Sequence, residues 1–373
     1  MTTNRPSNPC LYYRRVLSRA AQRYRTLVCG VAVACLSISA FLPVPSAPAQ
    51  TNSPPLTTWA VSLVLPPKLE AGAPATLAVL GVDGRLAPDV KVDLGNGHTV
   101  VTDRTGRAFF TAPAAGDFLL AKASGASVAA LIDPPRPASA AAPAPVLPPV
   151  VPVRDGFPIC GAGLRGDSDG NRVWINNQPA LVLAASPECL VILPGPYTEV
   201  GPATVSVNAP GVNWNVTTTV VSLEFDPPNP PLLPGKKGQL VVRARGTTLK
   251  LRVAVENRTP GILIFRRGDV QEAVTSGGDP DAAALEVQAI SSGDFSFRAR
   301  LLAVADPVAA QRYLAAAASL APSDIAREVA DLAHRLSRHP RDAEVVRREV
   351  NAILVRTIPS DFRTLLAAAL SSL

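Results

Sequence analysis

Asp167-Ser168-Asp169-Gly170-Asn171 places oxygen-bearing side chains at alternate positions. This is how an EF-hand calcium loop opens, with hard oxygen ligands at its first, third and fifth residues. The pattern then departs from that motif. Arg172 stands where the loop turns on a glycine, and Gln178 stands where the closing acid belongs. Two acids and an amide around a glycine are also ordinary turn chemistry, since Asp and Asn bond their own backbone. A plain turn is the stronger reading. Asp167, Asp169 and Asn171 remain the one calcium candidate in a chain otherwise read as metal-free.

Other constellations are thinner. A serine hydrolase needs a nucleophile beside a base, and the chain contains no G-x-S-x-G. His98 adjoins a Gly-Asn-Gly turn, while His334 and His339 are five residues apart rather than the four that align two ligands on a helix. Asp279, Asp281 and Glu286 lie in or beside a Gly-Pro loop, with no aromatic platform for a sugar. No catalytic residues and no cofactor are therefore expected.

The cysteines depend on where the chain resides. Arg14, Arg15, Arg19, Arg23 and Arg25 precede an apolar run from Leu27 to Leu42, followed by Ala47-Pro48-Ala49. These are the three parts of a secretory signal peptide, expected over residues 1–49. Tyr13–Arg19 loosely resembles a twin-arginine signal and Ala32–Cys35 a lipobox, but ordinary secretion fits better. No membrane span is expected after cleavage. Cys10, Cys29 and Cys35 leave with the signal, so Cys160 and Cys189 form an isolated pair in an exported protein, which points to a disulfide. The predicted location is secreted or periplasmic, and the Arg-, Ala- and Pro-rich composition suits a GC-rich bacterial genome.

The signal also accounts for most of the charge. The formal net charge is +7, but residues 1–49 hold six arginines and no acid, which leaves the mature chain at +1. A nearly neutral chain has no footprint for nucleic acid.

Behind these residues stand several short β-rich stretches. Over residues 55–133, apolar runs such as Ala75–Val82 and Phe118–Ala121 alternate with turn residues, as in an antiparallel sandwich. Gly95-Asn96-Gly97 and Asp103–Gly106 are expected hairpin tips. Gly84–Pro88, Thr102–Ala108 and Gly116-Asp117-Phe118 resemble carboxypeptidase-regulatory-like and bacterial Ig-like modules. That resemblance implies a sandwich and little about function. Residues 134–153 are Pro/Ala-rich and read as a linker. Residues 154–210 carry Gly161-Ala162-Gly163, Asn171–Ile175, Leu190–Pro194 and Gly201–Val207. This series resembles an IPT/TIG domain, another Ig-like sandwich. Residues 212–304 alternate apolar and polar positions at Gln239–Ala244 and Leu249–Val255, predicting a third sandwich.

Residues 305–373 have helical periodicity. Ile325, Val329, Leu332, Ala333 and Leu336 share one face, as do Val346, Val350, Ile353 and Leu354, and then Phe362, Leu365, Leu366 and Leu370. Ser323 is the expected N-cap, and Pro340 is expected at a first helical position. Such stripes normally close a core, although they could also dock a partner.

The expected fold is mainly β: tandem Ig-like β-sandwiches with a C-terminal α-helical domain. The expected role is non-enzymatic binding or spacing at the cell envelope, with a protein or glycan partner. The alternatives are an assembly component that docks a membrane-associated partner through its helices, and an enzyme with an unfamiliar site.

Overall fold

The computed structural model describes residues 62–137, 144–266, 268–278, 280–302 and 305–373. The expected signal at 1–49 and Asp279 lie outside these residues.

The first sandwich contains β1 (Ser62–Val64), β2 (Lys68–Glu70), β3 (Pro74–Leu80), β4 (Lys91–Asp93), β5 (Thr99–Val101), β6 (Arg107–Thr111), β7 (Phe118–Ala123) and β8 (Ala126–Asp133). β3 pairs with β1 and β6, and the facing sheet runs β2-β8-β7-β4-β5. Leu69, Leu77, Val79, Val92, Phe110, Leu119 and Ile132 fill the space between the sheets. Gly95, Asn96 and Gly97 all take positive φ, so the β4–β5 tip is the expected hairpin. The Asp103–Gly106 turn is not one. It carries the chain from β5 in one sheet to β6 in the other, with the Asp103 carboxylate accepting from the Thr105 and Arg107 amides.

The second sandwich uses β9 (Val150–Pro152), β10 (Phe157–Cys160), β11 (Arg172–Ile175), β12 (Gln178–Ala185), β13 (Cys189–Leu193), β14 (Gly201–Ala209) and β15 (Val212–Asp226). Asn176 and Asn177, both at positive φ, form the two-residue turn between β11 and β12. Part of the expected linker is ordered here. β9 lies parallel to β15, Val146 bridges Cys160, and Val151 is fully buried in the second core with Leu147 packed against it. The apolar residues among its prolines account for this. The boundary expected near residue 211 is a hairpin tip at Gly211, because β15 pairs with β14 from Val212 to Val220 and then with β16 from Ser222. One strand thus completes the second sandwich and begins the third.

The third sandwich adds β16 (Lys237–Arg245), β17 (Arg252–Asn257), β18 (Leu263–Phe265), β19 (Val270–Val274), β20 (Asp281–Ala289) and β21 (Phe297–Leu301). Its sheets are β15-β16-β20-β18 and β19-β17-β21. Leu240, Val242, Val253, Val255, Leu285 and Val287 point inward, as period-two alternation requires.

Four helices follow: α1 (Pro307–Leu320), α2 (Ser323–Arg338), α3 (Ala343–Leu354) and α4 (Ser360–Ser371). Asp306 caps α1, accepting from the Ala309 amide at 3.0 Å. Ser323 is the first residue of α2 and not its cap, because extended Pro322 occupies that position and its carbonyl accepts from Ile325 and Ala326. Pro340 opens a single 3-10 turn ahead of α3. The three apolar stripes are buried together, with Leu332 2% and Phe362 0% exposed. Their core includes Ala129 and Leu131 of β8, so the helices pack against the outer face of the first sandwich. β8 therefore buries both faces, Ala130 and Ile132 into the sandwich and Ala129 and Leu131 under the helices. Among the described residues, no helix is long and apolar enough to cross a membrane.

Candidate functional site

A depression of about 610 Å³ opens beside the β4–β5 tip of the first sandwich. Lys91 and Asp93 of β4, Asn96 and Gly97 of the tip, and Thr99 of β5 form one side. Lys122 and the β7–β8 hairpin form the other. Ser124 and Gly125 there take φ of 45° and 84°, the positive values that a two-residue turn demands.

Helix α4 fixes the position of this hairpin. Lys122 Nζ lies 2.6 Å from Asp361 Oδ1, and the Ser127 and Thr364 hydroxyls are 2.5 Å apart. The hydrogen bond from Lys122 holds the Asp361 carboxyl below the usual carboxylate range. Asp93 is engaged by the Gly95 amide at 2.8 Å. Lys91 is exposed and forms no ion pair among the described residues. The depression thus offers one available ammonium group, hydroxyls and turn backbone. Lys122 and Ser127 of this lining stand opposite each other on β7 and β8, and its hydroxyls and turn backbone can hydrogen-bond a polar partner.

The calcium candidates have other engagements. Asp167 accepts from the Asp169 amide at 3.0 Å, and Asp169 pairs with Arg107 Nη1 at 3.0 Å. Asn171 accepts from the Arg165 amide at 2.9 Å and donates to the Arg165 and Asp167 carbonyls at 2.8 Å each. Arg107 brings a cation to Asp169, and its Nη2 donates to the Val182 carbonyl at 2.7 Å. Among the described residues, no group of three or more His, Cys, Asp or Glu side chains could hold a metal ion. The segment works as a joint. Thr76 of β3 donates to the Gly166 carbonyl at 2.7 Å, and a Cβ on Gly166 would come within 1.9 Å of the Pro74 carbonyl oxygen.

Cys160 and Cys189 are bonded across the directly opposed pair of β10 and β13, with their Cα atoms 4.1 Å apart. The histidines are scattered and exposed, His98 on the β4–β5 tip and His334 and His339 in and after α2. Asp281 is buried under the Thr275 hydroxyl and the Gly277 amide, whereas Glu286 pairs with Lys237 at 2.8 Å. These acids do not share a site.

A second polar cluster was missed by sequence reasoning, because its members come from distant segments. Glu188, in the turn before Cys189, accepts from Arg136 Nη2 at 2.7 Å. The Arg136 amide donates to Glu70 at 3.0 Å, and Arg312 of α1 pairs with Asp133. Burial, and then the adjoining Asp133 carboxyl, raise the Glu188 pKa, with Arg136 opposing them. Burial likewise pushes the neighbouring Tyr313 phenol up.

No family model matches the chain, and no curated protein matches it by sequence. Solved structures give distant likenesses. The plexin A4 extracellular region is 13% identical with a TM-score of 0.25, covering 67% of this chain and 24% of that one. This chain thus spans about a quarter of the plexin. The N-terminal four Ig domains of Dscam1 isoform 7.44 are 11% identical with a TM-score of 0.21, covering 63% of this chain and 73% of that one. A Bacteroides ovatus glucan-utilisation protein, SGBP-B, solved with a mixed-linkage heptasaccharide, is 12% identical with a TM-score of 0.22, covering 63% and 65%. By its own strands and helices the chain is mainly β, with tandem Ig-like sandwiches followed by four helices.

Proposed function

We propose that the chain is a non-enzymatic binding or spacer protein, exported to the cell envelope, which presents the hairpin tips of its first sandwich to a glycan or protein partner. The observation that carries this reading is the open polar depression of about 610 Å³, whose rim is set by two hairpins and braced by α4. Its hydroxyls, turn backbone and one available ammonium group match an oxygen-rich partner. The Arg-rich start followed by an apolar run supports export. The turn motifs support a carboxypeptidase-regulatory-like first module and an IPT/TIG-like second one.

The test uses the mature protein with envelope polysaccharide and envelope protein fractions held on separate supports. Lys91→Glu and Thr99→Ala, both at exposed positions, should reduce retention on one support at unchanged melting temperature. Retention equal to wild type for both variants would move the binding surface elsewhere.

A further inference from the structure

The second sandwich turns one sheet face outward across β11, β14 and β15. Residues directly opposite each other share a face, so the strand register sorts the side chains into rows. Trp174 of β11 stands opposite Ser206 of β14, which stands opposite Asn215 of β15. On one side of this row lie Arg172, Asn208 and Asn213, and on the other Thr204 faces Thr217. The alternate positions Val173, Val205 and Val207 are buried in the core, which puts the rows on the outside. Trp174 and Ser206 are half-buried, and the other members of the rows are exposed.

A face that only has to be soluble carries mixed charges. These rows instead hold amides and hydroxyls around an indole, with no carboxylate and a single guanidinium. Arg172 forms no ion pair among the described residues. Ser206 donates to Asn215 Oδ1 at 2.7 Å, whereas the Asn208 and Asn213 side chains form no hydrogen bond among the described residues. Each of these amides can supply two donors and an acceptor.

Each feature selects a part of one ligand. The indole face carries negative π charge, which attracts the C–H groups on the face of a sugar ring. Pro179, opposite Trp174 on β12, is exposed and extends that surface. The amides and hydroxyls match sugar hydroxyls, which also donate and accept. Arg172, a cation on a face without acid, calls for a carboxylate, which a guanidinium grips through two parallel hydrogen bonds. Rows two residues apart are separated by about 7 Å along the strands, so the three rows reach over about 14 Å, enough for more than one sugar ring.

We propose that this face, separate from the depression on the first sandwich, binds an acidic polysaccharide whose rings lie on Trp174 and whose carboxylates engage Arg172. An open sheet face suits a polymer, because a small ligand is normally enclosed in a pocket.

Affinity electrophoresis of the intact mature protein tests this. Native gels contain polygalacturonate, alginate, hyaluronan or an uncharged glucan, and mobility is read against a polymer-free gel. Wild type should be retarded by at least one acidic polymer and much less by the glucan. Arg172→Gln, Trp174→Ala and Asn213→Ala should each reduce the retardation several-fold. Arg172→Gln and Asn213→Ala, at exposed positions, should keep the wild-type melting temperature and carry the test if Trp174→Ala disturbs the sheet. Lys91→Gln, the same change of charge on the first sandwich, should bind as wild type. Absence of retardation in all three acidic polymers, or equal retardation in the glucan, would overturn the proposal. So would loss with Lys91→Gln while Arg172→Gln binds normally, or loss with Arg172→Gln alone, which would reveal a bare charge contact.

Discussion

Arg347, buried within the helical layer, holds the Glu272 carboxylate of the third sandwich through Nη1, at 3.1 Å and 3.2 Å from its two oxygens. This pair closes a circuit of contacts. Arg107 and Asp169 join the first and second sandwiches, β15 and the Arg298–Asp155 pair join the second and third, and α1 returns to the first. The helices thus act as a brace between the two ends of the β region.

Glu272→Ala should therefore destabilise more than an exposed ion pair would suggest, because it leaves a guanidinium that is 5% exposed without its carboxylate. Glu272 itself is partly exposed, so the expected loss is about 2–3 kcal/mol by denaturant unfolding. The double variant Glu272→Ala with Arg347→Met should recover part of it.

Gly166→Ala should loosen the joint between the first two sandwiches. Its new Cβ would meet the Pro74 carbonyl oxygen at 1.9 Å, a backbone atom that a side-chain rotation cannot relieve. A loss of roughly 1–3 kcal/mol is expected, with reduced exchange protection around Thr76.

Much of the fold was legible in the sequence because it rests on local patterns. Alternation marked β16, Gly95-Asn96-Gly97 marked a tip, and the helical stripes at Leu332 and Phe362 marked a core. What was not legible is how distant segments meet. The unbroken apolar run Val128–Ile132 carried a usable signal, since a strand without alternation is buried on both faces. The Asp167–Asn171 segment left calcium open beside the plain turn because turn chemistry and ligand chemistry use the same residue types. Which of the two a carboxylate serves depends on Arg107, some sixty residues earlier. The depression had no signature of its own, because hairpin tips and an α4 serine meet there only in three dimensions.

Cys160→Ala should lower stability by roughly 2–5 kcal/mol, the usual cost of losing a native disulfide from a small domain. The bond closes a sequence separation of 29 residues within the second sandwich. Reduction of wild type should lower the denaturant midpoint by a similar amount, and labelling of folded, unreduced protein should find no free thiol at either position.

The Lys122–Asp361 pair should act on the acid side. The Asp361 pKa is depressed chiefly by the hydrogen bond from Lys122, so its stabilisation is present above the ordinary carboxylate value and is lost as pH falls through the depressed one. Lys122→Met should remove this acid-side loss. The effect should stay below about 1 kcal/mol, because both side chains are substantially exposed.

Leu332→Asp tests the bracing role of the helices most directly. Leu332 is 2% exposed in the core that also holds Ala129 and Leu131 of β8. A carboxylate placed there has no partner and should cost several kcal/mol. The measurement is thermal unfolding together with hydrogen exchange at residues 129–132. A clearly lower melting temperature with lost protection on β8 is the predicted result. An unchanged melting temperature with β8 protection intact would show that the helices stand apart from the first sandwich and would contradict the bracing role.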